Sequence, residues 1–276
     1  MYLVESKGGA IACMLLALVF LGTWPAILAQ LERRGRLPQH TYLDYSLTNF
    51  FTALVIALTV GQIGDAKPGI PNFIAQLSQD NWPCILIAMA GGVFLSLGNL
   101  STQYAWPFVG LSVTEVITSS IAVVLGTTLN YFLDDRINRA EILFPGVGCF
   151  LIAVCLGSAV HSSNAADNAA KLQSLPNYCK DGTGAAMVSD HREMVQYKGV
   201  LCGLGNGLQF MGGQAAGYAA ADCVQALPLV STFWGVLVFG EYRISSRRTY
   251  ILLVSMLLMF IVAVGVLIAS SGHRKN

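Results

Sequence analysis

The sequence predicts an all-α, polytopic membrane protein with about eight transmembrane helices containing an inverted three-span repeat. Three observations carry this. Of 276 residues, 54% are hydrophobic and 11% charged, against a usual charged share of about 25%, and mean hydropathy is +0.59. Apolar stretches of spanning length recur along the chain. A segment that begins at residue 92 reappears 107 residues later.

So few charges leave no solvated face for a soluble globule. Sixteen Lys/Arg against fifteen Asp/Glu give a net charge of +1, so no nucleic-acid partner is implied and the lipid bilayer is the expected surround. Six of the seven cysteines (Cys13, Cys84, Cys149, Cys155, Cys202 and Cys223) lie in or beside apolar runs, and only Cys179 is in a polar segment. The sequence has no CxxC pair, and His40, His161, His191 and His273 all fall in polar connections. No metal site and no disulfide framework is expected.

A helix needs about 20 mainly apolar residues to cross the hydrocarbon layer. Such stretches occupy 8–29, 43–63, 83–106, 110–133, 142–160, 199–216, 217–240 and 249–270. The first is too long for a cleaved signal, and no small-residue cleavage site precedes a polar mature chain. The polar stretch 161–198 reads as a flexible cytoplasmic loop between a five-span half, 1–160, and a three-span half, 199–276. Lys/Arg placement sets the orientation. Ten fall inside if the first loop (Arg33, Arg34, Arg36) is cytoplasmic, against six outside, and both termini then face outward.

The repeat is the most informative feature. GVFLSLGN at 92–99 returns as GVLCGLGN at 199–206. Without a gap, Gly110 then falls on Gly217, Glu115 on Asp222, Phe132 on Phe239 and Asp134 on Glu241, and Arg136-Ile137 matches Arg243-Ile244. Apolar spans generate chance Val and Leu identities, whereas Gly-Asn pairs and aligned acids are harder to obtain. Spans 83–160 therefore repeat as 199–270, entering from opposite faces, which is an architecture of secondary transporters. Duplication in a purely structural membrane protein is the alternative.

Glu115 stands about five residues inside its span. A carboxylate at a helix centre costs on the order of 2.5–3.5 kcal/mol, so such groups usually face a cavity. The bland alternative is a hydrated Glu115 beside the Trp106-Pro107 turn. Asp222 is its repeat partner. The amides Asn99, Gln103, Asn206, Gln209 and Gln214 surround the pair in sequence. Amides donate and accept, which suits a small neutral heterocycle with alternating N–H and C=O groups, and a carboxyl can carry a proton. Each amide serves equally as an interhelical hydrogen bond. Tyr104, Trp106 and Trp234 are candidates for stacking on a planar ring or for the interfacial belt. The GxxxG patterns at 199–203, 203–207 and 213–217 read as helix packing. No GxxxxGK[ST], GxSxG or HExxH occurs, so an enzyme is not expected.

The run MYLVESKGGAIACMLLALVFLGTWPA and the stretch GLGNGLQFMGGQAAGYAAADCVQALPLVSTFWGVLVFGEYR closely resemble the plant ureide permeases of the drug/metabolite transporter superfamily. That resemblance implies plasma-membrane, proton-coupled import of allantoin and related oxo-heterocycles such as uracil and xanthine, with the proton gradient in place of a cofactor. It also implies ten spans in two inverted five-span halves. Here two spans look to be missing between about 161 and 198, which leaves the topology of the others intact. By the repeat, the sixth span should begin nearer 190. The shortened chain is thus expected either to import the heterocycle itself or to act, through homo- or hetero-oligomers, as a non-transporting variant that modulates a full-length permease.

Overall fold

The computed structural model describes residues 4, 6–63, 71–133, 139–174, 191–216, 224–243 and 245–272. All described secondary structure is helical: α1 Lys7–Arg33, α2 Pro38–Leu58, a short α3 Phe73–Leu77, α4 Trp82–Val109, α5 Leu111–Leu133, α6 Ala140–Ser174 and α7 His191–Ala216. A 3-10 turn, Val224–Ala226, then leads into α8 (Leu227–Phe233), which ends in a π-helical turn at Trp234–Val238 and is followed by α9 Arg247–Gly272.

Five helices, α1, α4, α5, α6 and α9, are long and apolar enough to cross a membrane. The described parts of the other three expected spans also contain helices, but of a different kind. α2 opens on PQHTYLDYSLTN and α7 on HREMVQYK, so polar residues occupy their first turns, and Val224–Val238 is a shorter apolar helix. Pro38 at the first position of α2, where its missing N–H costs nothing, starts that helix five residues ahead of the expected 43. α7 is already helical at His191, its first described residue and eight residues ahead of the expected 199.

The expected flexible loop 161–198 needs correction in its described parts. α6 is helical through Ser174 and α7 is helical from His191, the residues between lying outside those described. The stretch NAADNAAKL lacks an apolar stripe but is rich in Ala, the best helix former. It is also pinned: Asp167 accepts from the Ser246 backbone N–H at 2.8 Å and from the Thr249 hydroxyl at 2.7 Å. Ser245 donates to Asn164 at 2.7 Å, and Ser163 bonds Thr249 at 2.7 Å. A carboxylate from α6 thus caps the N-terminus of α9.

Packing gathers the chain into two compact units, Met1–Ala105 with Val188–Gly217, and Trp106–Met187 with Tyr218–Asn276. Each draws from both expected halves. In the first unit α7 lies between α1 and α2. Its glycines decide how close they come. A Cβ at Gly199, Gly203 or Gly207 would meet Thr48, Thr52 or Ile56, so α2 runs parallel to α7. One at Gly205 or Gly212 would meet Leu21 or Met14, so α1 runs antiparallel. Lipid offers no hydrophobic drive for helix association, and small residues that allow close van der Waals approach supply it instead. Trp24 stacks on Tyr45 at 4.9 Å, and the Tyr45 hydroxyl donates to Cys202 at 3.0 Å.

The second unit holds the larger apolar cluster, built from α5, α6 and α9 around Phe150, Met256 and Phe260. Phe150 and Phe260 meet edge to face at 5.5 Å. Gly146 faces Val266, Gly157 faces Met256, and Ser163 faces Thr249, so α6 and α9 run antiparallel. These are the two helices equated by the repeat. An inverted repeat sets its counterparts in opposite directions, as α6 and α9 are.

α4 is the exception to this close packing. Ile87 and Phe94 are 72% and 76% exposed. Gly92 and Gly98 are the repeat counterparts of Gly199 and Gly205, yet a Cβ at either would meet nothing within 4 Å.

Candidate functional site

In the second unit the chain turns from α4 into α5 through a single residue, Gly110, at φ +94. Only glycine adopts that conformation without strain. The first N–H groups of α5 have no partner within their own helix, and Glu241 supplies one. Its carboxylate accepts from Leu111 N at 2.7 Å, from Ser112 N at 3.1 Å and from the Ser112 hydroxyl at 2.8 Å. A negative charge there also meets the positive end of the helix dipole. Tyr242, in the turn that follows and outside the spanning helices, is buried, and burial together with the adjoining Glu241 charge pushes its phenol up.

Glu115 lies one turn further along α5. It is buried at 6% exposure, and its Oε1 accepts from the Trp106 indole N–H at 2.9 Å. The expected hydrated, interfacial alternative does not describe this side chain. Trp106 is itself buried and is a hydrogen-bond partner of the acid, so it does not belong to an interfacial belt. The two residues flank the Gly110 joint.

The remaining expected residues are distributed as follows. In the first unit, Gln103 is fully buried, and its amide donates to the Glu32 carboxylate and to the Pro38 carbonyl at 3.3 Å. Tyr104, 45% exposed, donates its hydroxyl to Gln39 at 2.9 Å. Both tie the end of α4 to the α1–α2 connection, where Arg36 pairs with Asp44. Asn99 on α4 and Gln209 on α7 are half-buried, and Asn206 donates to Cys202 at 3.5 Å. Asp222 and the Gln214 side chain lie outside the described residues, as does the 213–217 pattern. Among the described residues no group of three or more His, Cys, Asp or Glu is placed to hold a metal ion.

Sequence reasoning marked Glu241 only as a repeat match and did not find Glu32 or Ser112. The signal was present for Glu241, an acid two residues before Arg243 and aligned with Asp134. Glu241 and the Gly110 joint meet within this unit.

The joint yields a prediction. A Cβ at Gly110 would sit 3.3 Å from Glu241 Oε2 on a backbone that L-residues avoid. Gly110→Ala is expected to cost about 1–3 kcal/mol, read as a lower Tm of the detergent-solubilised protein; an unchanged Tm would remove the strain argument.

A family model described as Ureide permease matches residues 41–196 and 186–270. The chain belongs to the ureide permease family. Ureide permease 1 and Ureide permease 2 of Arabidopsis thaliana are each 52% identical to it, over 100% of both chains. Probable ureide permease A3 of Vigna unguiculata is 46% identical, over 91% of this chain and 100% of its own. No solved structure matches. Family membership and the apolar helices make this a multi-pass membrane protein, and its relatives are named for permeation rather than for a reaction. The alignment to Ureide permease 1 runs over 393 positions against 276 residues here, so 117 positions of the alignment hold no residue of this chain. The two family matches meet at 186–196, inside the segment where the sequence places two missing spans.

Proposed function

We propose that this ureide permease is a proton-coupled secondary transporter of the plasma membrane that imports allantoin and related oxo-heterocycles such as uracil and xanthine. The observation that carries the reading is the buried Glu115 carboxyl hydrogen-bonded to Trp106. A carboxyl at membrane depth costs several kcal/mol and persists where it handles a substrate or a proton. The sequence adds the amides Asn99, Asn206, Gln209 and Gln214, a residue type that complements the N–H and C=O groups of a ureide, and Asp222, which the repeat pairs with Glu115. The proton gradient supplies the drive in place of a cofactor. Uptake of radiolabelled allantoin by transport-deficient yeast that express the chain tests this. Uptake stimulated by acidic medium and competed by uracil is expected; none, with the protein at the cell surface, would overturn it.

A second reading is favoured by two observations. α7 is clasped by α1 and α2 through its glycines, while the counterpart glycines of α4 face open space, and 117 aligned positions are lacking here. On this reading the chain does not transport. It binds a full-length permease and changes that partner's flux. Co-purification with a full-length relative, and altered partner uptake on co-expression, are the expected results. Intrinsic uptake without association would exclude it.

A further inference from the structure

We propose that Glu241 is a positioning residue for the Glu115 carboxyl, acting through the Gly110 joint. The inference rests on the reading of Glu115 as a substrate- or proton-handling group, and its geometry is specific. Both Glu241 oxygens are committed, Oε1 to Leu111 N and Oε2 to Ser112 N and the Ser112 hydroxyl. The backbone N–H of Glu241 is itself tied to the Gly235 carbonyl at 3.1 Å. The seat is cleared by two glycines. A Cβ at Gly235 would lie 2.8 Å from Glu241 Oε2 and 2.3 Å from the Ser112 hydroxyl, and one at Gly110 would lie 3.3 Å from Oε2. Two missing side chains around one carboxylate amount to a built cradle. Ordinary helix capping needs neither glycine.

What the cradle holds is the angle between the end of α4 and the start of α5. Gly110 N–H still bonds the Trp106 carbonyl at 2.9 Å, and Thr114 N–H bonds the Gly110 carbonyl at 3.2 Å. The Trp106–Glu115 hydrogen bond therefore bridges the joint that Glu241 clamps. Its length is set by the joint's dihedral angles, and a single-residue glycine joint has few other restraints. The clamping residue comes from the turn after α8, 130 residues along the chain from Leu111, so it also couples the second repeat copy to the acid of the first. Loss of the carboxylate leaves two N–H groups of α5 without their acceptor. The first turn frays, and Glu115 moves away from Trp106.

The test uses the full chain with Trp24, Trp82 and Trp234 changed to Phe, so that Trp106 alone reports by fluorescence. Glu241→Gln keeps the size of the side chain and loses the paired acceptors, whereas Glu241→Asp keeps the charge. Glu241→Gln is expected to shift the Trp106 emission in the same direction as Glu115→Gln. It should also raise the KM for allantoin roughly tenfold with surface abundance unchanged. Glu241→Asp should restore part of both. Wild-type emission and KM in Glu241→Gln, or a loss of Vmax that only follows surface abundance, would overturn the proposal. If the parent chain takes up no allantoin, the transport reading fails, and the emission comparison still decides the positioning role.

Discussion

Glu115→Gln is expected to lower uptake by about tenfold or more and to remove its dependence on external pH, with protein at the cell surface within about twofold of wild type. The substitution separates chemistry from packing. A glutamine carbonyl can still accept from the Trp106 indole N–H, which Glu115 holds at 2.9 Å, so the hydrogen bond that fixes the side chain survives. What is lost is the titratable proton and the second carboxyl oxygen. Glu115→Leu is the contrast: it strands a buried indole donor, at about 1–3 kcal/mol, and is expected to lower surface abundance as well. A Glu115→Gln protein with wild-type, acid-stimulated uptake would show that coupling resides elsewhere. Asp222, the aligned acid, would then be the next residue to change.

The reach of the sequence can be traced through particular residues. α6 and α9 were readable as counterparts because an offset of 107 residues aligns them, and they pack antiparallel at Phe150 and Phe260. The glycines of α7 were readable as packing sites because 199, 203 and 207 fall on one helix face. Glu115 was readable because a carboxylate inside an apolar run needs a reason. The contacts that complete each unit were less accessible. Gln103 finds Glu32 across 71 residues, and Glu241 finds Leu111 across 130. Neither pairing leaves a periodic trace, since a polar group is satisfied by whatever acceptor the fold brings to it. The continuation of α6 to Ser174 was hidden for a related reason. Its polar turns lack an amphipathic stripe, and Asp167 is held by Ser246 and Thr249, residues 79 and 82 positions away.

Gly199→Leu is expected to be far more damaging than Gly92→Leu, although the two positions are equivalent in the repeat. A Cβ at Gly199 would stand 1.8 Å from the Thr48 hydroxyl and 2.6 Å from the Asn49 backbone nitrogen. Backbone cannot rotate aside, so α7 would have to part from α2, and the contacts at Gly203 with Thr52 and at Gly207 with Ile56 would open with it. Overpacking of this kind costs about 1–3 kcal/mol in soluble cores. In lipid the loss is harder to recover, because packing itself holds the helices together. A Tm lower by roughly 5 °C or more in detergent, or failure to reach the membrane, is the expected outcome. At Gly92 a Cβ meets nothing, so Gly92→Leu should leave the Tm of the isolated chain within about a degree. The same pair bears on the two functional readings. If Gly92→Leu is silent in the isolated chain but weakens co-purification with a full-length permease, the open face of α4 is the surface that the partner covers. If it is silent in both, lipid alone meets that face, and the transporter reading keeps its ground.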